Sequence, residues 1–470
     1  MLTLIVLLHI YFVSFLDKPE KTAPQLSERA IEQRAKWDIP TDQMDYPVSA
    51  LYMDSLRRMG VKIHHCSRWF NGATCEMDTL TAAKVAGLKF VTDVEMTRDN
   101  TTPNHLLRKR LPAQTEATVS EPELSSDAQL RLYNLQPLHD AGFKGQGILM
   151  TVCDGGFSRA DTMSCFRHEQ ELGHFDFTDD VDGFYGSTGA HGTECLSDIS
   201  GILDYEFYGA ATEAEYYLMR TEEYATESPK EMDNLVAALE KADSLGVNIF
   251  SVSLGYYRFD NAAWNLPKSA LDGKTTRCSR AATIAARKGI LVCVAAGNEG
   301  TSNWHSIDVP ADADSVLTVG AVTRDSLIGD FSSYGPSADG RVKPDVCAVG
   351  VNAAVISPYG FSMFTNGTSF ATPLLAGLAA SLWSALPDEN AMQIRERIIR
   401  SADRYNHPSM NRYGYGIPDA WKAYTMTIGE GVEDISYQPS EVSAKKIIYG
   451  GQIHILRYGH IYNLAGQLVR

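Results

Sequence analysis

The sequence predicts an α/β protein: a mainly parallel sheet flanked by helices, preceded by a small α+β domain and followed by a short tail of β-strands. Three observations carry this. From about residue 128, apolar runs come without alternation: ILMTVC (148–153), VNIFSVS (247–253), ILVCVAA (290–296) and SVLTVGAV (315–322). Strands buried on both faces read this way, as they do in parallel sheets covered by helices. The stretches between them, such as KEMDNLVAALEKADSLG and SRAATIAARKG, have helical character and supply the crossovers. Residues 11–97 instead alternate short strand-like and helix-like pieces, the pattern of a separate small domain.

Taken in order, residues 1–16 (MLTLIVLLHIYFVSFL) are apolar and carry no Lys or Arg. The run is short for a membrane span and lacks the positive start of a secretory signal. Residues 1–10 are therefore read as an incomplete signal segment, and YFVSF as a buried strand. The pieces LSERAIEQRAKW, ALYMDSLRRMG, VKIHHCS, NGATCEM, TLTAAKVAGL and KFVTDVE complete a domain over 11–97. Its size is near the lower limit for folding alone. Residues 98–127 are polar, contain proline and lack periodicity, so they read as an exposed linker where proteolytic processing is expected. The Arg108–Arg110 cluster within it is read as solvated, with a processing point as the alternative. The main domain spans 128–425. Residues 426–470 form the tail, whose GG, YG and AG breaks suggest short strands and tight turns.

The bulk numbers exclude some partners. A formal charge of −16 offers no basic field for nucleic acid or an anionic membrane. Eight scattered cysteines without a CxxC pair give no zinc framework. HEQELGH (168–174) has Leu172 where a zinc-binding HExxH helix needs its second His, so it is rejected as a metal motif.

Chemistry is expected at the carboxyl ends of parallel strands. There stand Asp154 before a Gly-Gly turn, Ser253-Leu254-Gly255, and Ala295-Ala296-Gly297 leading to Asn298. His191 opens a helix-like segment, AHGTECLSDISG, and Ser369 opens a small-residue helix, NGTSFATPLLAGLAASL. Together they supply what acyl transfer needs: a nucleophile (Ser369), a general base (His191), an acid to hold the imidazole (Asp154) and an oxyanion donor (Asn298).

GTSFATP, HGT, the Asp-Gly turn and AAGN resemble the motifs of the subtilisin-like serine proteases over roughly 128–425. The order Asp…His…Ser matches the order the family is known for. The resemblance implies a serine endopeptidase acting on protein or peptide substrates without a metal. It makes Ser253, Leu254, Gly255, Ala295, Ala296 and Gly297 backbone walls for the substrate strand. Residues 11–97, with SRWFNGATCEM, resemble a subtilase propeptide that assists folding and inhibits until cleaved. The same resemblance implies secretion and no transmembrane anchor in the mature form. Structural calcium, which many subtilases bind, is not localised by the sequence; Asp179, Asp180 and Asp182 are candidates, with a solvated loop as the simpler reading. RTEEYATES (220–228) would line the acyl side, and its Glu222, Glu223 and Glu227 suggest a preference for basic residues, again against a solvated loop. IYNLAGQLVR (461–470) resembles the end of type IX secretion sorting tails.

Two departures matter. The family usually has a second His where this chain has Glu194, and Cys195 falls on the same helix face as His191. The rival readings are a non-catalytic, surface-displayed binding protein on the same scaffold and an ester or amide hydrolase using the same site.

Overall fold

The computed structural model describes residues 7–20, 22–100, 126–179, 183–186, 189–409 and 412–427, with 445–449, 452–457 and 460–462 in the tail. The Arg108–Arg110 cluster, Asp180, Asp182, residues 1–6 and the tail end 463–470 lie outside the described residues. Residues up to 425 form one compact unit and 426–470 a second. Among the described residues no helix is long and apolar enough to cross a membrane.

The N-terminal domain runs β1 (His9–Phe15), α1 (Glu28–Lys36), α2 (Ala50–Arg58), β2 (Lys62–Ser67), β3 (Gly72–Met77), α3 (Thr79–Ala86) and β4 (Val91–Arg98). Its antiparallel sheet has the order β2-β3-β1-β4. β1 is central and covered on both sides, which explains its unbroken apolar run. Tyr11, Val13 and Phe15 enter this domain's own core with Leu56 and Val85. Phe12, on the other face, lies 4.2 Å from the guanidinium of Arg277 in the main domain.

The main domain continues with α4 (Asp127–Leu132), α5 (Gln136–Asp140), β5 (Leu149–Asp154), β6 (Glu171–Asp176), α6 (Ala190–Ser200), β7 (Ile202–Leu203), β8 (Phe207–Tyr208) and β9 (Glu215–Arg220). Then come α7 (Pro229–Leu245), β10 (Ile249–Val252), α8 (Arg277–Arg287), β11 (Leu291–Ala295), β12 (Leu317–Val322), β13 (Val346–Val349), β14 (Ala353–Ile356) and β15 (Ser362–Thr365). It closes with α9 (Thr368–Ala385), α10 (Ala391–Ser401) and α11 (Ala420–Thr425). Seven strands form a parallel sheet in the order β13-β12-β11-β10-β5-β9-β6. Alternate residues of one strand serve opposite cores. Met150 and Val152 face the core built with α6 and α9, while Leu149 and Cys153 face the core built with α7 and α8. The second unit holds β16 (Lys445–Tyr449), β17 (Gln452–Arg457) and β18 (His460–Tyr462) in one antiparallel sheet.

The N-terminal domain packs on α7 and α8 through buried charge. Arg34 donates to Asp45 at 2.8 Å and to both Asp243 oxygens at 2.7 and 2.8 Å. Burial alone would raise the Asp45 carboxyl, but Arg34 and Lys288 bring it down to about 2. The Glu240 carboxylate on α7 accepts from the Ser67 hydroxyl and from the backbone N–H groups of Arg68 (2.8 Å) and Trp69 (3.2 Å). It thereby caps the β2–β3 turn of the other domain. Trp69, only 5% exposed, enters the core beside Leu235 and Val236.

Two readings of the sequence need correction here. HEQELGH is not helical: His168–Gln170 is a single 3-10 turn, and the rest is β6, whose residues alternate in burial. Asp179, although 38% exposed, is not a free loop carboxylate: it pairs with His64 (3.1 Å), Lys62 (3.6 Å) and Lys230 (3.4 Å). Hydrogen bonding from His64 leads the effects that hold its carboxyl well below the usual range. All eight cysteines are free thiols.

Candidate active site

Asp154 ends β5, a strand flanked by β10 and β9, and is 1% exposed. Its Oδ1 accepts from the N–H of Gly155 at 2.7 Å, which fixes the carboxylate. α6 begins directly above this turn because glycine lets it. A Cβ on Gly192 would lie 2.3 Å from the Gly156 oxygen and 2.9 Å from the Asp154 Cβ. Gly189, at φ 92°, caps the helix in the left-handed region. His191, the second residue of α6, is thereby placed with Nδ1 2.9 Å from both Asp154 oxygens. Two carboxylate acceptors require the donor on Nδ1, so neutral His191 carries its free lone pair on Nε2. Burial pushes the imidazole pKa down, but the Asp154 charge outweighs it and the net shift is well upward.

Ser369 is the second residue of α9 and is 5% exposed. Its hydroxyl donates at 3.4 Å to the Ser253 carbonyl, and His191 Nε2 is buried without a hydrogen-bond partner. The structure thus joins Asp154 to His191 and places Ser369 nearby, without a Ser369–His191 hydrogen bond. Such bonds are often loose before substrate arrives.

Pro373 now has a specific consequence. It is the sixth residue of α9, past the opening turn where a missing donor costs nothing. A non-proline there would donate its N–H to the Ser369 carbonyl four residues back. That carbonyl instead accepts from the Ser253 hydroxyl at 2.7 Å and the Cys195 thiol at 3.3 Å. The missing helix bond therefore ties α9 to β10 and α6 at the serine. Cys195 lies beneath the imidazole, 3.9 Å from His191 Nδ1, and burial pushes its thiol up to about 12.

Asn298 follows the Gly297 turn after β11. Its Oδ1 accepts from the Thr368 N–H (2.9 Å) and hydroxyl (3.1 Å), so the amide NH₂ is fixed pointing away from Thr368. The expected walls divide into two kinds. Ala296 donates to Val319 at 3.0 Å and accepts from Asp308 at 3.2 Å, while Gly297 donates to the Thr368 hydroxyl and accepts from Ser333. With Ala295 in the β11 ladder, these residues form a wall whose polar groups are already engaged. Ser253, Leu254 and Gly255 run on from β10, ending at an exposed Gly255.

Of the three acids after Arg220, Glu227 is half-buried and the other two are not solvated. Glu222 and Glu223 are 4% and 3% exposed. Glu222 accepts from the Tyr256 hydroxyl at 2.6 Å, while Glu223 pairs with Lys230 and with Arg98 of β4. Two further acids sit on α6. Burial raises Glu194 to about 7. Asp198 is fully buried, with Oδ1 3.4 Å from the Gln129 amide and Oδ2 unpartnered, and burial raises its pKa well above the ordinary value. Sequence reasoning missed the Ser253 hydroxyl and Asp198. Proline four residues after the serine was the signal for the first; Asp198 gave none.

The Asp154–His191 pair and Ser369 stand near one another at the carboxyl edge of the parallel sheet. Comparison with known proteins gives the family. Residues 145–416 match the subtilase family (peptidase S8), and residues 10–115 match the peptidase S8 propeptide domain of Bacteroidota. The chain belongs to the subtilase family and is a subtilisin-like serine endopeptidase that carries a propeptide domain. Serine protease AprX of Bacillus subtilis (strain 168) is 28% identical over 309 residues, 59% of this chain and 66% of that protein, so just under two thirds of its length is spanned. Subtilisin BL of Lederbergia lenta is 28% identical over 282 residues, 60% of this chain and 92% of that protein. The crystal structure of MycP1 from Mycobacterium smegmatis shares the fold, with a TM-score of 0.54 and 22% identity over 67% of this chain and 88% of that one.

Proposed function

We propose that the protein hydrolyses peptide bonds of protein substrates through Asp154, His191 and Ser369, by way of an acyl-enzyme. Rotation of the Ser369 hydroxyl away from Ser253 brings it to His191 Nε2, which takes its proton as the oxygen attacks the substrate carbonyl. Asp154 holds the imidazole and offsets its charge. The Asn298 amide and the Ser369 N–H, at the helix N-terminus, receive the oxyanion. His191 then protonates the leaving amine, and water releases the acyl half. The observation that carries this reading is the buried Asp154–His191 pair with Nε2 left open beside Ser369.

The N-terminal domain is proposed to inhibit the protease in cis until the 98–127 segment is cut, and the mature enzyme to act outside the cell. The tail's resemblance to type IX sorting segments supports export by that route. The pairing of Glu223 with Arg98 supports a second element, a preference for basic residues on the acyl side, because a cation from the N-terminal domain already sits on that acid. A peptide library with no basic preference there would dispose of it. N-terminal sequencing tests the main reading. The purified wild type is expected to cut itself within 98–127, and Ser369→Ala to stay intact. Equal self-cutting by both proteins would overturn it.

A further inference from the structure

Two large aromatic side chains stand in solvent on the hairpin that leads into the Ser369 turn: Tyr359 is 76% exposed and Phe361 54%. Their rings lie nearly parallel (11°) with centroids 6.4 Å apart. They form the tip of the β14–β15 hairpin, and β15 runs directly into the Asn366-Gly367-Thr368-Ser369 turn. The guanidinium of Arg159, in the loop that leaves Asp154, sits 5.7 Å from the Tyr359 ring centroid. Arg159 itself is held at φ 61°. The tip is thus joined to the strands that deliver both Asp154 and Ser369. The rings remain exposed although the N-terminal domain covers α7 and α8.

The fold also says on which side of the scissile bond this tip lies. The hairpin packs along α6: the Ile356 N–H donates to the Ser197 hydroxyl at 2.9 Å, and a Cβ on Gly201 would meet the Ile356 Cδ1 at 2.8 Å. These contacts fall on the later turns of α6, about 9–15 Å along its axis from His191 at the helix start, the group that gives its proton to the leaving amine. The acyl side, along Ser253–Gly255, extends from β10 instead. A strand rises about 3.3 Å per residue, so the five residues from Phe361 to Asn366 place the tip roughly 16 Å before the turn, an extended reach of three to five substrate residues.

We propose that Tyr359 and Phe361 form a subsite for the leaving-group side of the substrate. It takes an apolar or aromatic side chain three to five residues beyond the cut. This rests on the triad reading above and adds its leaving-side specificity. The expected effect is about 3–10-fold in kcat/KM, or about 0.6–1.4 kcal/mol, within the range of an aromatic pair's contribution beyond area.

The test uses the processed enzyme and internally quenched peptides with one fixed acyl side. Their third to fifth leaving-side residues are either glycine or a Phe/Leu mixture. The readout is the ratio of kcat/KM values within each enzyme, so a general loss of activity cancels. The wild type is expected to favour the apolar set by about 3–10-fold, and Tyr359→Ser/Phe361→Ser to bring the ratio to about 1. A ratio of 1 in the wild type, or an unchanged ratio in the variant, overturns the subsite. Folding of the variant is checked by its rate on a p-nitroanilide, which has no leaving peptide. If wild type and Ser369→Ala cleave the peptides equally, the triad reading fails instead, a separate outcome.

Discussion

The two faces of the seven-stranded sheet solve different problems with different residues. On the α6–α9 face the helices run close. Ala376, Gly377, Ala379 and Ala380 are buried, and a Cβ on Gly377 would come 2.7 Å from that of Ala210. Around α6 the Asp154–His191 pair is buried and paired, while Asp198, buried with one oxygen unpartnered, keeps its proton. On the α7–α8 face the outer surface carries Asp233, Glu240, Asp243 and Lys288, all buried by the N-terminal domain. A catalytic centre must hold its groups within tenths of an ångström, so it is packed with small residues on rigid helices. The N-terminal domain is held instead by charges that water would accept if it left. On the reading proposed above, precision and reversibility are separated onto opposite sides of one sheet.

The largest way to break this comparison is on the covered face. Glu240→Ala would leave two backbone N–H groups and the Ser67 hydroxyl without their acceptor in the interface. The expected cost is about 3 kcal/mol, near 100-fold in affinity. Inhibition of the processed enzyme by added N-terminal domain should weaken by that factor, with kcat on small substrates unchanged. Equal inhibition of both proteins would mean that Trp69 and the apolar contacts hold the cover.

On the catalytic face, Pro373→Ala restores an N–H that competes for the Ser369 carbonyl and releases it from Ser253 and Cys195. Removing an interior proline favours the helix. The variant is expected to melt no lower than wild type while kcat falls about tenfold, because misplacing the nucleophile slightly is costly. A kcat within twofold of wild type would show that the anchored carbonyl does not position Ser369.

The smallest expected effect concerns Asp198. Its raised pKa means that the native state keeps a proton that the unfolded chain releases above about 4. Stability is therefore lost as pH rises from that point toward the raised value, and the full penalty remains at higher pH. In a Ser369→Ala background, which prevents self-digestion, Asp198→Asn should gain about 1–2 kcal/mol over its parent at pH 8 and nothing at pH 4. Denaturant melts at both pH values check this. A gain independent of pH would show that the carboxyl is not the cause.

Much of the architecture was legible in the sequence because burial on both faces leaves unbroken apolar runs. β5, β10, β11 and β12 fall where those runs stand. The candidate site residues could be picked out because Asp154, His191, Asn298 and Ser369 each sit in a local motif at a glycine turn or a helix start, and the structure brings the first two into contact. What could not be read depends on partners far away in the chain. Glu222 and Glu223 look like a solvated acidic loop until Tyr256 and Arg98 reach them, the latter from 125 residues away. Glu240 reads as the polar face of α7, although its acceptors serve a turn 172 residues earlier. β6 was considered only as part of a failed metal motif, because His168 just before it and His174 within it drew attention from its alternation in burial.

The central claim is that Ser369 is the nucleophile, activated by the Asp154–His191 pair. Reaction of the processed protein with a fluorophosphonate, followed by mass mapping of the labelled peptide, tests it most directly. The expected result is one phosphonyl group on Ser369, absent in Ser369→Ala, with labelling and loss of peptidase activity advancing together. A folded, processed protein that is not labelled at Ser369, or that keeps full peptidase activity once labelled, would contradict it.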